Sequence, residues 1–124
     1  MASSPYRNLY HRLVAGTHEP ENAQACWVWS RKRGMGGYAR LQVYVPGMKA
    51  NVTLMAHIAL WVWLEAVPDN VDEFYLAYLE FTNSGLELDH TCVCTPCINP
   101  DHLEPVTPSV NNIRKYERRA NART

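Results

Sequence analysis

The first half of the chain carries a helical repeat of apolar residues, followed by shorter alternating runs. The repeat begins behind Ser4-Pro5, a typical N-cap and first helical residue, and Gly16 can end it, so we predict a helix over residues 5–15. Because Pro46-Gly47 is a typical turn, the two runs on either side of it should pair in a small antiparallel sheet. The predicted strands cover residues 26–29, 38–45 and 49–54.

The middle of the chain predicts two helices. Residues 55–67 are almost continuously apolar over a length that suits a helix, so we predict a buried helix that ends before Pro68. Acidic residues at the start of residues 72–81 predict a second, shorter helix. Its many apolar side chains suit either the core or a homodimer surface, and they are Phe74, Tyr75, Tyr78, Leu79 and Phe81.

A strand, a second strand and a helix are predicted in the last third of the chain. Residues 86–89 alternate as a strand, and residues 103–106 are the candidate return strand. Thr107-Pro108 has the pattern of an N-cap and a first helical residue, whereas residues 120–124 have the composition of a loose tail. These patterns predict a strand–strand–helix unit.

Length and composition suit one small domain. The chain has 124 residues, of which 47% are hydrophobic, so it can form a core but would gain from a structural metal. We predict a single α+β domain over residues 1–124, with the strand–strand–helix unit at about residues 86–120. The sequence shows no signal-peptide pattern and no apolar run of about 18 residues, so we expect a soluble, cytoplasmic protein with no membrane partner.

The formal net charge is zero, but the charges are segregated along the chain. Residues 50–113 contain no Lys or Arg and carry most of the acidic residues, whereas basic residues cluster on either side. This pattern is typical of one face that contacts nucleic-acid phosphates, and equally of two solvated basic faces with no partner. The residues that we predict to contact double-stranded DNA are Arg31, Lys32, Arg33, Arg40, Arg114 and Lys115.

Cysteine spacing favours a zinc site over disulfides in a reducing compartment. Four residues separate Cys92 from Cys97, and four more separate Cys97 from His102, so short turns can bring all three onto one zinc ion. Cys26 would supply the fourth ligand and join the sheet to this segment. In the alternative set Cys94 is the fourth ligand and Cys26 is an ordinary buried residue. Either set fills the tetrahedral coordination of zinc, so the ion would be structural.

Chemistry must then come from other residues. Asp89-His90 directly precedes the cysteine segment, and Asn111 lies in the first turn of the predicted last helix. Carboxylate and amide oxygens are ligands for a hard cation such as Mg²⁺, and an imidazole beside them can move a proton. Such a cation would link these protein ligands to a scissile phosphate.

Several motifs over about residues 25–115 share the pattern of one known family. They are Cys26-Trp27-x-Trp29, Gly37-Tyr38-x-Arg40, Ala56-His57, Leu88-Asp89-His90-x-Cys92, Cys97-Ile98-Asn99-Pro100-x-His102-Leu103-Glu104-Pro105-Val106-Thr107 and Asn111. They resemble the HNH endonucleases of the His-Me finger (ββα-metal) superfamily, particularly the compact phage and bacterial type and the zinc-stapled His-Cys box homing endonucleases. The second half of the resemblance is the more specific.

The resemblance implies a zinc-stapled ββα-metal finger that hydrolyses DNA with Mg²⁺ or another divalent cation, in a bacterial or phage-infected cell. It implies His90 as the general base, Asp89 and Asn111 as ligands of the catalytic cation, and 5′-phosphate and 3′-hydroxyl ends as products. The ligands of the structural zinc would be Cys26, Cys92, Cys97 and His102.

The chain departs from this family pattern at several positions. Val110 stands where the family often has a Glu that completes a capping box, so we expect Asn111 to be held less rigidly, and Asn112 becomes a second candidate ligand. Cys94 is an additional thiol, and residues 65–87 are longer than the usual connection.

Several residues also suit noncatalytic roles, and the sequence also fits one noncatalytic class of protein. We predict that Asn99 shapes the turn with Pro100, and that the tryptophans lie mainly in the core. His57 fits a buried core histidine and a second active-site group equally well. A zinc-binding DNA or protein adaptor without catalysis also fits, although it needs the cysteines and not the combination of His90 with Asn111.

Overall fold

The computed structural model describes residues 12–13, 15–17, 22, 24–29 and 37–122. The fully described elements are three helices, one 3-10 turn and two antiparallel sheets of two strands each, which confirms the α+β class. No helix within these ranges is long and apolar enough to cross a lipid bilayer. In chain order the elements are β1 (Arg40–Val45), β2 (Ala50–Met55), α1 (Ala56–Ala66), α2 (Val71–Asn83), β3 (Glu87–His90), the 3-10 turn (Pro100–His102), β4 (Leu103–Val106) and α3 (Pro108–Ala122).

The predicted hairpin is formed by β1 and β2, which pair over their full length. Its turn docks onto α2, because the N–H of Gly47 donates to Oδ1 of Asp72 at 2.7 Å. A Cβ at Gly47 would lie 2.5 Å from that oxygen, so a larger residue would displace the Asp72 carboxylate from this hydrogen bond. Helix α1 follows β2 directly, and the N–H of Ala56 donates to the carbonyl of Ala39 at 2.9 Å. The hairpin thus fixes where α1 begins.

Helices α1 and α2 form the centre of the core together with β1. The side chain of Asn70 caps α2 by accepting from the N–H of Glu73 at 2.8 Å. Phe74 is fully buried and Tyr78 is nearly so, so these two members of the predicted dimer surface pack inside the protein instead. Any partner of α2 would have to contact its other face, where Leu76 is exposed.

The predicted strand–strand–helix unit consists of β3, β4 and α3. His90 is the last residue of β3 and lies opposite Leu103 of β4. Thr107 caps α3, since its Oγ1 accepts from the N–H of Val110 at 3.2 Å, as the sequence predicts. The prediction of a loose tail from residue 120 is wrong for residues 120–122, because α3 extends to Ala122 through residues that include no helix breaker.

The N-terminal residues contact the cysteine segment. The N–H of Gly16 donates to the carbonyl of Arg12 at 2.9 Å, which matches the predicted helix end, although most of residues 5–15 lie outside the described ranges. The prediction of a strand over residues 26–29 is wrong, because this segment forms only isolated bridges, one of them between Val28 and Cys97. The segment that it faces around Cys97 is a turn rather than an extended strand, so the two segments cannot form a continuous ladder of β-sheet hydrogen bonds.

Candidate functional site

Four potential zinc ligands meet at one point of the described structure. The sulfur atoms of Cys26, Cys92 and Cys97 and a ring nitrogen of His102 lie within 4.8 Å of one another. Nδ1 of His102 is 3.6 Å from the sulfur of Cys26 and 3.6 Å from that of Cys97. Tetrahedral zinc, with bonds of about 2.3 Å to sulfur and about 2.0 Å to nitrogen, separates such atoms by roughly 3.5 Å. The cluster can therefore hold a metal ion such as zinc.

Backbone hydrogen bonds bring Cys26 to the other ligands. The N–H of Trp29 donates to the carbonyl of Pro96 at 2.9 Å, and the N–H of Ile98 donates to the carbonyl of Trp27 at 2.9 Å. Because Cys26 directly precedes Trp27, this pairing places its thiol beside Cys97. The aromatic residues after Cys26 thus anchor the ligand that lies far from the others in sequence.

His102 and Asn99 are held by the residues just before Cys26. Nε2 of His102 lies 2.7 Å from the carbonyl of Gln24, which only accepts, so Nε2 carries the proton and Nδ1 offers a lone pair to the sulfurs. Asn99 donates from Nδ2 to the carbonyl of Ala25 at 2.9 Å, and its Oδ1 accepts from the N–H of Asp101 at 3.0 Å. Asn99 therefore shapes the turn, as predicted.

The electrostatics of the thiols suit a cation. Burial and the neighbouring thiols of Cys92 and Cys97 raise the pKa of Cys26 to about 12. Burial also raises the pKa of Cys97. Thiolates this close repel one another, so they ionise together only around a positive charge. Both the donor set and its electrostatics fit zinc.

Cys94 lies outside this cluster. Its sulfur is not among the ligand atoms that the structure gathers, whereas the sulfur of Cys26 is. The carbonyl of Cys94 instead accepts from the N–H of Cys97 at 3.0 Å and closes the turn between the two cluster cysteines, Cys92 and Cys97. Of the two ligand sets that the spacing allows, the structure assembles the one with Cys26.

A cavity of about 240 Å³ opens next to the cysteine segment. Asp89, His90 and Asn111, which the sequence analysis predicts to form one site, all lie on its wall. The complete lining consists of Tyr38, Leu88, Asp89, His90, Val93, Thr95, Asn111, Lys115, Arg118 and Arg119. Strand β3 and helix α3 therefore bring together residues that are more than twenty positions apart in the chain.

His90 is buried at the end of β3, and one of its ring nitrogens is fixed. The residue is 6% exposed, and its Nε2 lies 3.1 Å from the carbonyl of Cys97. Because a carbonyl only accepts, Nε2 carries a proton, and Nδ1 is the basic nitrogen of the neutral ring. Burial lowers the pKa of His90, while the Cys97 carbonyl and Asp89 act in the opposite direction. Cys97 thus connects the cysteine cluster to the cavity, because its sulfur belongs to the cluster and its carbonyl accepts from His90.

His57 of α1 packs against His90. The centroids of the two imidazole rings are 4.6 Å apart, and the ring of Tyr38 lies 5.6 Å from His57 and 5.7 Å from His90. His57 is 3% exposed, and its Nδ1 has no hydrogen-bond partner among the described residues. Burial and the nearby His90 lower the pKa of His57 to about 3, so its ring is neutral at neutral pH. His57 is therefore a neutral neighbour of His90, and the contact of Tyr38 with both rings was not predicted.

Asp89 is buried and paired with two arginines of α3. Arg118 donates from Nη1 to Oδ1 at 3.0 Å and from Nη2 to Oδ2 at 2.9 Å, and Arg114 donates to Oδ2 at 3.0 Å. Arg114 also donates to Glu104 at 2.9 Å. The hydrogen bond from Arg118 is the main cause that lowers the pKa of Asp89. This pairing was not predicted from the sequence, because 25 and 29 positions separate the two arginines from Asp89 and no local pattern links them.

Asn111 sits in the first turn of α3 with one amide atom paired and the other unpaired. Its Nδ2 donates to Oε2 of Glu87 at 3.0 Å, while its buried Oδ1 has no hydrogen-bond partner among the described residues. Glu87, whose role was not predicted, thus holds the side chain of Asn111 in place, which Val110 cannot do. Asn112 is exposed and does not line the cavity, so it is not placed as the alternative ligand.

The residues predicted to contact DNA have different surroundings. Arg40 is exposed on β1, and Lys115 is exposed at the edge of the cavity. Arg114 is already engaged with two carboxylates. The predicted basic turn, with Arg31, Lys32 and Arg33, lies outside the described residues.

Comparison of the chain with models of known protein families, with curated proteins and with solved structures gives no match in any of the three.

Proposed function

We propose that this protein is a metal-dependent DNA endonuclease in which β3, β4 and α3 form a zinc-stapled ββα-metal finger of the HNH type. The observation that carries the proposal is the convergence of Asp89, His90 and Asn111 on one cavity. Strand β3 presents a buried imidazole with one basic nitrogen, and α3 presents a buried amide oxygen that has no partner among the described residues. Unpaired buried polar atoms are costly in a purely structural site, so a ligand for them is expected.

His90 is the general base in this proposal. Its Nδ1 takes a proton from water, and the water oxygen attacks the phosphorus of a DNA phosphodiester. The bond between phosphorus and the 3′ oxygen breaks, and the departing 3′ oxygen takes up a proton from solvent. The Cys97 carbonyl holds the ring through Nε2–H and favours the imidazolium that forms, because it accepts from a charged donor. His57 and Tyr38 pack against the ring and restrict its orientation. The expected products carry 5′-phosphate and 3′-hydroxyl ends.

Asn111 and Asp89 are the proposed ligands of the catalytic cation. The unpaired Oδ1 of Asn111 fits this role, because Glu87 holds the amide nitrogen and leaves the oxygen available. Asp89 offers a buried carboxylate on the same cavity, although two arginines pair with it in this structure. When bound, Mg²⁺ would supply a positive charge that stabilises the phosphate in the transition state and the departing 3′ oxygen.

Basic side chains around the cavity are the proposed DNA contacts. Lys115 and Arg119 line the cavity, and Arg40 is exposed on β1. Contacts of this kind neutralise phosphates, so DNA affinity should fall steeply as salt increases.

Zinc has a structural role in this proposal. With four protein ligands it would have no open coordination position. It would fix the cysteine segment, and the carbonyl of Cys97 would in turn fix His90.

A noncatalytic zinc-binding adaptor for DNA or protein is the second candidate. The observation in its favour is the ion pairing of Asp89, since both carboxylate oxygens are satisfied by Arg114 and Arg118 without any cation. A surface that only binds DNA would keep these pairs intact.

A substrate panel tests the proposal. Supercoiled plasmid, linear duplex and single-stranded RNA are each incubated with purified protein in Mg²⁺, in Mn²⁺ or in EDTA. We expect cleavage of DNA that EDTA abolishes, with ends that a ligase can rejoin without a kinase. One finger cuts one strand, so nicked plasmid should precede linear plasmid. Binding without cleavage of any substrate supports the adaptor, and cleavage of RNA alone would contradict the DNA assignment.

A further inference from the structure

The carboxylate of Asp89 is more fully occupied than a cation ligand should be. It accepts three hydrogen bonds, two from Arg118 and one from Arg114, at 2.9–3.0 Å. A carboxylate has about four lone-pair positions in all. Asp89 is 4% exposed, so water competes little for what remains. A cation can therefore reach Asp89 fully only if an arginine leaves it.

The charges around Asp89 lead to the same requirement. Arg114 and Arg118 carry two positive charges, and Asp89 and Glu104 carry two negative charges, so the linked group is neutral. A divalent cation brought into it would meet no net negative charge. Release of one arginine side chain from Asp89 restores a negative carboxylate for the cation, and this is the less costly arrangement in a partly buried site.

Arg118 is better placed to leave than Arg114. Its side chain lines the cavity, and its side-chain hydrogen bonds within the described residues go to Asp89. Arg114 does not line the cavity and is also held by Glu104. A rotation of the Arg118 side chain would therefore move its guanidinium from Asp89 toward the cavity where a phosphate would lie.

We propose that Arg118 is the resident counter-ion of Asp89, and that it exchanges this carboxylate for a phosphate oxygen of DNA when the cation binds. The inference rests on the proposed function, since it names the residue that couples the cation to the substrate at the same site. Removal of Arg118 has two opposite effects. The cation binds more tightly to the free protein, because its competitor is gone, and the coupling between cation and DNA is weakened.

Binding of Mn²⁺, followed by the electron paramagnetic resonance signal of the free ion, tests the exchange. Thiolate clusters prefer zinc to Mn²⁺, so the cysteine site should not compete. We expect Arg118→Gln to bind Mn²⁺ about fivefold more tightly than the wild type, which is the upper end of what a partly exposed ion pair contributes. Arg118→Lys, which keeps the charge but loses the fork, should fall between them. Lys49→Gln removes a positive charge from the exposed β1–β2 turn, away from the cavity, and should change the affinity less than about twofold.

A second titration uses the His90→Ala background, so that DNA stays intact. A short DNA duplex should tighten Mn²⁺ binding when Arg118 is present, and should do so much less in the Arg118→Gln variant. Circular dichroism confirms that the variants are folded, and Arg118→Lys carries the test if Arg118→Gln does not fold.

Other results would overturn the exchange. They are unchanged or weaker Mn²⁺ binding in Arg118→Gln, an equal effect of Lys49→Gln, or Mn²⁺ binding that Asp89→Asn does not reduce. The proposed nuclease function is tested separately. If wild-type protein cuts no DNA while the Mn²⁺ affinities change as expected, the nuclease assignment fails and the competition between Arg118 and the cation stands.

Discussion

Replacement of Cys26 by serine removes the one cluster ligand that is distant in sequence. Cys92, Cys97 and His102 lie in one short segment and can bind a metal locally, whereas Cys26 joins them from about 65 residues earlier. In Cys26→Ser the metal would no longer tie the N-terminal segment to the finger. We therefore expect the variant to lose both stability and zinc affinity.

The loss of stability can be worked out from the length of chain that the metal closes. A cross-link over a loop of about 65 residues reduces the entropy of the unfolded chain by an amount worth about 4 kcal/mol. The chain has 124 residues, and with about 2.1 cal/mol/K of unfolding entropy per residue this corresponds to a fall in melting temperature of about 15 °C. The weaker hold of three ligands on zinc adds to this loss.

Zinc content per chain and thermal melting, each with and without a chelator, measure the effect. Cys94→Ser is the matched control, because Cys94 is a thiol of the same segment outside the cluster, and its change should stay within about 0.5 kcal/mol. Retention of one tightly bound zinc and of the melting temperature in Cys26→Ser, with their loss in Cys94→Ser, would contradict this expectation.

Three further predictions concern the site, the core and a helix end. Asn111→Ala should slow DNA cleavage at least about tenfold by removing a cation ligand, whereas Asn112→Ala on the exposed face should not, and equal rates of plasmid nicking would exclude Asn111 as a ligand. Phe74→Ala should destabilise the fully buried core by about 3–5 kcal/mol in urea unfolding, while Leu76→Ala, which is exposed on the same helix, should cost less than about 0.5 kcal/mol. Val67→Gly should stabilise the protein by about 0.5–1 kcal/mol, since Val67 ends α1 at φ 44° with its side chain 72% exposed, and a lower urea midpoint would contradict the strain argument.

Local patterns explain how much of the fold the sequence predicts. The hairpin, both central helices and the last strand pair agree with the predicted elements to within about two residues, because apolar periodicity and turn residues act over short distances. The cap at Thr107 and the cluster ligands Cys92, Cys97 and His102 are also short-range features. Cys26 was only one of two options, because its place depends on pairing across the fold.

The contacts that were not predicted form between residues that are far apart in sequence. Glu87 meets Asn111 across 24 positions of sequence, and Arg118 meets Asp89 across 29, so no local pattern reveals either pair. Residues 26–29 have strand-like composition but lie against a turn, which leaves only isolated bridges. The contact of Tyr38 with the two histidines likewise depends on how β1 and α1 are packed.

His90 is proposed to remove the proton from the attacking water, and a comparison of two cleavage rates tests this role. Single-turnover nicking of supercoiled plasmid in Mg²⁺ is measured for the wild type and for His90→Ala, with zinc content and melting temperature as controls for folding. Loss of a general base should slow nicking by about 10²- to 10⁴-fold, with the zinc retained. Equal nicking rates in the two proteins, or no nicking by a folded, zinc-loaded wild type, would contradict the claim.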